Sequence, residues 1–358
     1  MYDVVVVGSG IGGLTVAALL SARGMNVCLL ERQSQVGGCI ARVEFSGYDF
    51  EPGMGLYTSF GAGEVYDTLF SQLPVAAPDV SLVTSPYILR RADATDVKLP
   101  TDDLYSIVGG PATLAERLAE SIKQSGGNLR LNSPVLRLAY DEAGRAAGID
   151  LLSGERVFAK KAIVSNLTIW DTYGKLIGLN RTPPEIKKHL STLHGLGVYV
   201  VYAGIEETAV ARLPAERMRV EDSEGEFTMA MSSSDVAPPG KRGVTFTTRT
   251  EIDSWFAYQS SEEDYEEWDH AALEQFWNRL HAALPELGSD IEVIETANPR
   301  TYYDSTRRKL GMVLGLNEPV SLGHQTSLPN VFMIGDTVSS EPKLDLVVQS
   351  ALALAKRI

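Results

Sequence analysis

The sequence predicts an α/β fold in which a parallel sheet with flanking helices is interleaved with a second, mixed α+β sheet. The chain begins with an apolar strand, a glycine turn and a helix, and from residue 328 it returns to the same order. Between about residues 167 and 300, strand-like runs lie between polar loops. A chain of 358 residues has room for two such domains.

Each element of the parallel sheet is predicted from a local pattern. Mainly β-branched residues fill the first strand, Tyr2–Val7, as expected for a strand that is buried on both faces. Gly24 ends the helix that follows, and a second helix begins at Pro111 and ends at Gly126. The other predicted elements are a strand at 27–31, a hairpin of 135–140 and 147–152, strands at 162–165 and 330–334, and a final helix at 344–357.

The second sheet is predicted from the pattern of apolar runs in the middle of the chain. Its strand-like runs lie at residues 198–203, 227–231 and 244–248. An amphipathic helix is predicted at 263–284, because apolar side chains recur there at the spacing of one helix face. These elements form a region distinct from the parallel sheet.

Composition excludes several classes of protein. Lys+Arg 32 against Asp+Glu 46 gives a net charge of −14, so no positive field attracts nucleic acid. Hydrophobic residues at 44% and charged residues at 22% are typical of a globular protein. The two cysteines, Cys28 and Cys39, form no CxxC pair, and His189 and His194 have no third metal ligand nearby. We therefore expect neither a disulfide scaffold nor a metal site.

The start of the chain does not read as an export signal, because its apolar run, residues 4–7, is short and follows an aspartate. No window approaches 18 uninterrupted apolar residues, so a transmembrane helix is not expected. A cytoplasmic location is expected, and peripheral contact with a membrane stays open. The sequence does not decide the oligomeric state.

A nucleotide-binding motif lies between the first strand and the first helix. Gly8-Ser9-Gly10-Ile11-Gly12-Gly13 satisfies GxGxxG, in which the glycines allow a tight turn, approach of the backbone to a diphosphate and close helix packing. Glu31 ends the second strand 18 positions beyond Gly13, where a carboxylate can accept ribose hydroxyls. The pattern predicts an ADP-containing cofactor on the N-terminus of the helix.

Residues 31–38, Glu-Arg-Gln-Ser-Gln-Val-Gly-Gly, and residues 328–336, which end in Gly335-Asp336, resemble two motifs of the FAD-dependent amine oxidase and phytoene desaturase superfamily. Matches at 49–55, 109–110, 150–155 and 162–166 extend the resemblance over nearly the whole chain. It implies a Rossmann-like FAD-binding domain of the glutathione reductase type and non-covalent FAD. The cofactor-binding residues implied by motif and resemblance are Gly8, Gly10, Ile11, Gly12, Gly13, Glu31, Arg32, Gly37, Gly38, Cys39, Arg42, Gly53, Met54, Val135, Asn166, Gly335, Asp336, Leu344 and Val347.

The resemblance also implies the division into domains. Residues 1–60, 105–166 and 328–358 would form a discontinuous FAD-binding domain, and residues 61–104 and 167–327 would form the substrate domain. One dinucleotide motif and no CxxC pair argue against a disulfide reductase.

One region indicates a branch of the superfamily. Residues 297–303, followed by Gly311 and Gly315, resemble the phytoene desaturase and carotenoid isomerase branch, and Cys39 stands where amine oxidases usually have arginine. This similarity implies a small apolar isoprenoid or polyene as the substrate, from whose C–H bond the flavin takes a hydride. Arg300 and Tyr302, expected on a strand on the substrate side, and Glu51, expected near the isoalloxazine, are the candidate catalytic residues.

Alternatives stay open at this point. Glu341 and Lys343 stand in a loop that is glycine-rich in the branch, which suggests a flavin-binding protein without catalysis. The helical lid that the family inserts before Gly109 is nearly missing, which leaves an open site or reflects residues missing from the sequence, and favours a soluble amine or amino-acid oxidase. Desaturation, saturation and redox-neutral isomerisation are not separated by the sequence, and neither is the electron acceptor identified.

Overall fold

The computed structural model describes residues 1–257, 262–313, 315–316, 323–339 and 341–358. Within these residues the strands pair into two seven-stranded sheets and two small two-stranded sheets. The strands are β1 (Tyr2–Val7), β2 (Val27–Leu30), β3 (Val43–Phe45), β4 (Tyr48–Phe50), β5 (Val80–Leu82), β6 (Tyr87–Arg90), β7 (Asp96–Leu99), β8 (Tyr105–Ile107), β9 (Asn128–Arg130), β10 (Val135–Tyr140), β11 (Ala146–Leu151), β12 (Arg156–Ser165), β13 (Gly197–Glu206), β14 (Arg217–Asp222), β15 (Gly225–Met231), β16 (Lys241–Thr250), β17 (Ile291–Ala297) and β18 (Val331–Met333).

The helices connect these strands and cover the sheets. They are α1 (Ile11–Ala22), α2 (Val65–Phe70), α3 (Ala112–Gln124), α4 (Ile169–Asp171), α5 (Pro184–Thr192), α6 (Glu207–Val210), α7 (Ser254–Ala257), α8 (Glu262–Ala283), α9 (Pro299–Thr306) and α10 (Leu344–Ala355). A π-helical segment, Thr172–Gly178, follows α4. Every helix in the described ranges is too short or too polar to cross a bilayer.

The first sheet is parallel at its centre. Strands β9, β2, β1 and β12 pair in that order, β18 pairs with the second half of β12, and the antiparallel hairpin β10–β11 pairs with its first half. Side chains of β1 alternate between two cores, with Val4 and Val6 in one and Val5 and Val7 in the other. The strand is therefore buried on both faces, as the sequence predicts.

The predicted elements of this sheet are confirmed. β1 has the predicted bounds, and β2, the β10–β11 hairpin, β18 and α10 differ from the predicted bounds by a few residues. Helix α1 is buried almost throughout and contacts both α3 and α10. This packing fixes the helix N-terminus at the carboxyl end of β1.

The second sheet is mixed, as predicted. Its order is β17-β13-β16-β15-β14-β6-β7, and the pairing of β14 with β6 is parallel whereas the other pairings are antiparallel. In β13, Tyr199 and Val201 face a core that includes Phe276 of α8. Val200 and Tyr202 point to the opposite face. That opposite face carries a smaller core of its own, which includes Phe50 of β4.

Two helices from segments predicted for the substrate domain pack on the first sheet. Tyr66 and Leu69 of α2 lie in the core with α1, and Leu190 of α5 lies in the core on the other face of that sheet. The predicted domain boundaries stay a prediction, and these contacts place α2 and α5 with the parallel sheet.

Candidate cofactor and active site

The turn between β1 and α1 brings backbone from distant segments together. Gly8 has φ +94°, which an L side chain rarely adopts, so the turn requires glycine here. A Cβ at Gly13 would overlap the carbonyl oxygen of Gly8, and a Cβ at Gly12 would lie 2.8 Å from Oδ1 of Asn166. No described side chain caps α1. Its first N–H groups are therefore available to an anion.

Glu31 lies beside this turn, directly after β2. Its carboxylate is buried, and Oε2 accepts hydrogen bonds from the backbone N–H and the hydroxyl of Ser9, at 2.8 Å and 2.7 Å. Its other oxygen accepts from the N–H of Gln33 at 2.8 Å. Charge-assisted hydrogen bonds of this kind fix the orientation of a carboxylate. Oxygen lone pairs remain with which Glu31 can accept ribose hydroxyls.

The paired glycines pack onto the first turn. The N–H of Gly37 donates to the carbonyl oxygen of Ser9 at 3.0 Å, and Gly37 and Gly10 form a parallel β-bridge. A Cβ at Gly38 would lie 3.4 Å from Cα of Gly10. The glycines at 8–13 and those at 37–38, which are far apart in the sequence, thus form one surface of glycine backbone.

The C-terminal motif completes this surface. The N–H of Ile334 donates to the carbonyl oxygen of Ser165 at 2.9 Å, which extends β18 along β12. Cγ1 of Ile334 and Cγ1 of Val347 would lie 3.0 Å and 3.2 Å from a Cβ at Gly12. We call these contacting residues the glycine cradle: Gly8, Ser9, Gly10, Gly12, Gly13, Glu31, Gly37, Gly38, Asn166, Ile334, Gly335 and Val347.

The glycine cradle fits a dinucleotide. Bare backbone and an uncapped helix N-terminus suit a diphosphate, and a buried carboxylate at the end of the neighbouring strand suits a ribose. Side chains at Gly10, Gly12 or Gly13 would collide with Asn166 or with the carbonyl oxygen of Gly8, so glycine keeps this turn tight. Ile11 begins α1 within this turn.

Other predicted cofactor residues lie outside the glycine cradle or are engaged elsewhere. Arg32 donates to the carbonyl oxygen of Ser305 at 3.3 Å, and Arg42 forms an ion pair with Asp49. Val135 begins β10 and pairs with Leu151. Three more predicted residues are Gly53, which has φ +80°, Met54, whose carbonyl oxygen accepts from Arg217 at 3.2 Å, and Leu344, which begins α10.

Asp336 of the C-terminal motif contacts a cation that the sequence did not single out. Nη2 of Arg308 lies 2.5 Å from Oδ2 of Asp336, and Nε of Arg308 donates to the carbonyl oxygen of Met312 at 2.5 Å. Arg308 stands in a run of basic residues, 307–309, and nothing in that run tells which side chain points inward. Cys39 lies within electrostatic range of this pair.

Glu51 directly follows β4, and its carboxyl group is partly buried. Its Oε1 accepts a hydrogen bond from the hydroxyl of Tyr57 at 2.7 Å, and its backbone N–H donates to Oγ of Ser232 at 3.0 Å. A Cβ at Gly110 would lie 3.7 Å from its Oε2. Burial raises the pKa of Glu51 to about 7, although the Tyr57 hydrogen bond and the charge of Arg217 lower it. A carboxyl group with this pKa can exchange a proton near neutral pH.

An aromatic face lies on the side of the second sheet opposite α8, and Phe50 and Tyr202 in it are buried. The rings of Phe50 and Tyr202 lie 5.0 Å apart, and those of Phe45 and Tyr202 lie 5.7 Å apart. Tyr302 packs on the same cluster. Burial, followed by the neighbouring Tyr202, raises the pKa of Tyr302 well above its usual range, and Cys39 is among its neighbours. Tyr302 thus links the aromatic face to the neighbourhood of Cys39, which directly follows the paired glycines.

The predicted strand around Arg300 and Tyr302 is wrong, because these residues lie on helix α9. Asn298 caps this helix by accepting from the N–H groups of Arg300 and Thr301, and Pro299 takes the first helical position. The structure does not bring Arg300 and Tyr302 together. The guanidinium of Arg300 lies 4.0 Å from the ring centroid of Tyr265.

Two further predictions concern the loop with Glu341 and Lys343, and metal binding. Lys343 pairs with Glu341 at 2.7 Å, and both side chains are more than half exposed, which places this cation at the surface. Ser340, in the same loop, lies outside the described residues. Among the residues that the structure describes, no group of three or more His, Cys, Asp and Glu could hold a metal ion.

Two family models match the chain. The NAD(P)-binding Rossmann-like domain matches residues 6–73, and the flavin containing amine oxidoreductase family matches residues 91–341, which is more than half of the chain. Among solved structures, an oxidoreductase from Methanosarcina mazei has a TM-score of 0.74 at 15% identity, and cyclohexylamine oxidase from Brevibacterium oxydans has a TM-score of 0.65 at 13%. Each comparison covers 99% of both chains. These likenesses confirm the predicted fold class.

The curated relatives are much longer than the segments that match this chain. Prolycopene isomerase of Daucus carota is 25% identical over 275 residues, which are 70% of this chain and 43% of the isomerase. Carotenoid 3,4-desaturase of Haloarcula japonica is 34% identical over 104 residues, 28% of this chain and 21% of the desaturase. All-trans-retinol 13,14-reductase of Danio rerio is 23% identical over 272 residues, 63% of this chain and 45% of the reductase. The chain spans less than half the length of these three proteins.

The family match confirms the superfamily that the sequence resembles, and the glycine cradle fits the dinucleotide cofactor that this family implies. The chain belongs to the flavin containing amine oxidoreductase family, and its cofactor is FAD.

Proposed function

We propose that the chain is an FAD-dependent oxidoreductase that acts on C–C bonds of an apolar isoprenoid or polyene. The observation that carries this proposal is the aromatic face, where Phe50, Tyr202 and Tyr302 pack together and approach Cys39. Aromatic rings bind an extended hydrocarbon through buried area rather than through hydrogen bonds. The names of the relatives, a prolycopene isomerase, a carotenoid desaturase and a retinol reductase, support the same substrate class.

The glycine cradle is the proposed FAD site. The turn at residues 8–13 and the N-terminus of α1 would hold the diphosphate, and Glu31 would accept the adenosine ribose hydroxyls. Asp336 would bind the ribityl or diphosphate segment, as the resemblance implies. This assignment is supported by the uncapped N-terminus of α1 and by the burial of the Glu31 carboxylate.

Glu51 is the proposed proton acceptor. When bound, FAD supplies a hydride acceptor. Loss of hydride beside a double bond leaves an allylic cation on the substrate. The Glu51 carboxylate then takes a proton from the neighbouring carbon, and the C–H electron pair becomes the new C=C bond. In the reverse direction, saturation, the protonated Glu51 would return that proton.

Oxidation of an amine is the second candidate. The family description supports it, and the paired phenols of Tyr202 and Tyr302 could border an amine nitrogen as well as a hydrocarbon. The two candidates differ in the substrate that reduces the flavin. A flavin-binding protein without catalysis would be reduced by neither substrate.

The test is anaerobic reduction of the purified holoprotein, followed by bleaching of the flavin absorbance. We expect detergent-dispersed polyenes to bleach the flavin and a panel of soluble amines to leave it oxidised. Bleaching by amines alone would replace the proposal with the oxidase. Interconversion of polyene isomers by the reduced protein, with no net bleaching of the oxidised protein, would identify an isomerase.

Replacement of Tyr57 by phenylalanine should move the pH dependence of flavin reduction upward. The Tyr57 hydroxyl stabilises the charged form of Glu51, so its removal raises the pKa of that carboxyl above about 7. One hydrogen bond of about 1 kcal/mol corresponds to a shift of the midpoint by about one pH unit. The measurement is the rate of substrate-driven bleaching between pH 5.5 and 9. Tyr105→Phe is the matched control, since Tyr105 pairs with Tyr57 through the backbone.

A further inference from the structure

The guanidinium group of Arg308 lies in the protein interior, beside the C-terminal motif Gly335-Asp336. Its side chain is 16% exposed, and Nη2 lies 2.5 Å from Oδ2 of Asp336. Nε donates to the carbonyl oxygen of Met312. Within the described part of the chain, Nη1 donates to no acceptor. One edge of the guanidinium is thus engaged by the protein, and the other nitrogen remains for a ligand.

The backbone around Arg308 fixes this orientation. Arg307 has φ +55° and Leu310 has φ +51°, so two non-glycine residues near Arg308 adopt the left-handed region. Gly311 packs so closely that a Cβ there would overlap the carbonyl oxygen of Pro299. This bend separates neighbouring arginines. The side chain of Arg307 pairs with Asp304 and is 47% exposed, whereas that of Arg308 points inward.

Arg308 also lies beside the segment that follows the paired glycines. Burial raises the pKa of the Cys39 thiol, the charge of Arg308 opposes this increase, and Asp336 is the next neighbour. Gly38, which precedes Cys39, packs on Gly10 of the glycine cradle. A cation at this point lies beside Asp336 and near Cys39, the neighbours in sequence of Gly335 and Gly38 in the glycine cradle.

We propose that Arg308 binds the diphosphate of FAD and takes the place of the arginine that amine oxidases carry at the position of Cys39. A guanidinium presents donors in a planar fork, so it can bond Asp336 on one edge and a phosphate oxygen on the other. The small Cys39 side chain leaves room for a guanidinium that arrives from a distant segment. This inference rests on FAD as the cofactor and is independent of the substrate.

The first test is Arg308→Met, with apoprotein titrated with FAD and binding followed by quenching of flavin fluorescence. We expect FAD to bind about 10- to 100-fold more weakly, the effect of losing one charge-assisted hydrogen bond. Arg307→Met is the matched control and should bind FAD as the wild type does. Unchanged affinity in Arg308→Met, or an equal loss in Arg307→Met, would overturn the proposal.

Fragments of the cofactor separate a phosphate contact from a general disturbance of the site. ADP, which carries the diphosphate, should bind Arg308→Met more weakly than wild type, and riboflavin, which carries no phosphate, should bind both equally. Weaker binding of riboflavin with unchanged binding of ADP would place Arg308 at the flavin ring and contradict the proposal.

A rescue experiment tests the exchange of positions and remains informative if Arg308→Met folds poorly. In the double variant Cys39→Arg/Arg308→Met, the guanidinium returns to the position used by amine oxidases, and FAD affinity should recover to within a few-fold of wild type. Cys39→Arg alone should bind FAD more weakly than the double variant, because two guanidiniums then compete for one space. Absence of rescue in a double variant that melts like wild type would count against the exchange.

Discussion

Replacement of Gly13 by alanine is expected to eliminate FAD binding and to destabilise the parallel sheet. The added Cβ would overlap the carbonyl oxygen of Gly8 and lie 3.1 Å from Cβ of Asn166. The overlapped atom belongs to the backbone, so it cannot rotate away as the end of a flexible side chain could. Helix α1 must therefore move away from the turn.

The cost of that movement is large because α1 is buried on nearly all sides. Overpacking of a core typically lowers the free energy of unfolding by about 1–3 kcal/mol. Displacement of the helix N-terminus also removes the N–H groups from the diphosphate, and we expect FAD affinity to fall by more than about 100-fold. Flavin content after purification and the melting temperature of the apoprotein measure the two effects separately.

Gly174→Ala is the matched control for this substitution. A Cβ at Gly174 would meet no atom within 4 Å, and its φ is not in the left-handed region. We therefore expect wild-type melting and wild-type flavin content. If Gly13→Ala retained both properties as well, the close packing of α1 on the glycine turn would be disproved.

The parallel sheet was predictable because local patterns and long-range packing agree there. β1 is an uninterrupted apolar strand, and the turn after it needs glycines whose spacing is visible in the sequence. The turn at residues 8–13 and the C-terminal motif at 335–336 follow β1 and β18, two parallel strands of one sheet. Their proximity is expected because the carboxyl ends of parallel strands meet at the same edge.

Helix α9 was not predicted, although its local signals are present. Asn298 at the N-cap, Pro299 at the first helical position and Thr301 at N3 form a capping box. The resemblance of this region to a family motif implies a strand, whereas these local signals favour the start of a helix. The turn from α9 to Arg308 depends on positive φ values at non-glycine residues, which no sequence pattern indicates.

The partners of the second sheet also lie beyond local patterns. β6 pairs in parallel with β14, more than a hundred residues later, through a crossover that local periodicity does not specify. Glu51 is predicted near the cofactor from its own segment, whereas its neighbours Ser232 and Gly110 come from distant segments. Its position near the cofactor stays a prediction, and its electrostatic environment is evident only from the structure.

Replacement of Glu51 by glutamine is expected to lower the rate of flavin reduction by substrate by about 100-fold or more, the usual loss for a general base. In the wild type, burial raises the pKa of Glu51 to about 7, so the carboxylate that accepts the proton forms as pH rises through that value. The rate should increase from pH 6 to pH 8 and then level off. Glu51→Gln should lose this dependence. Glu44→Gln, at an exposed position on β3, is the control and should retain it.

Stability should change in the opposite direction, which separates a catalytic role from a structural one. Because the folded pKa, about 7, exceeds the ordinary 4.5, burial of Glu51 favours the folded state below pH 4.5, and that contribution is lost as pH rises through 7. The difference between the two values corresponds to at most about 3 kcal/mol. At pH 8, where the buried charge is unfavourable, Glu51→Gln apoprotein should therefore melt at a higher temperature than wild type while its holoprotein reduces poorly. A variant that lost both stability and rate at pH 8 would show that Glu51 supports the fold and that another group accepts the proton.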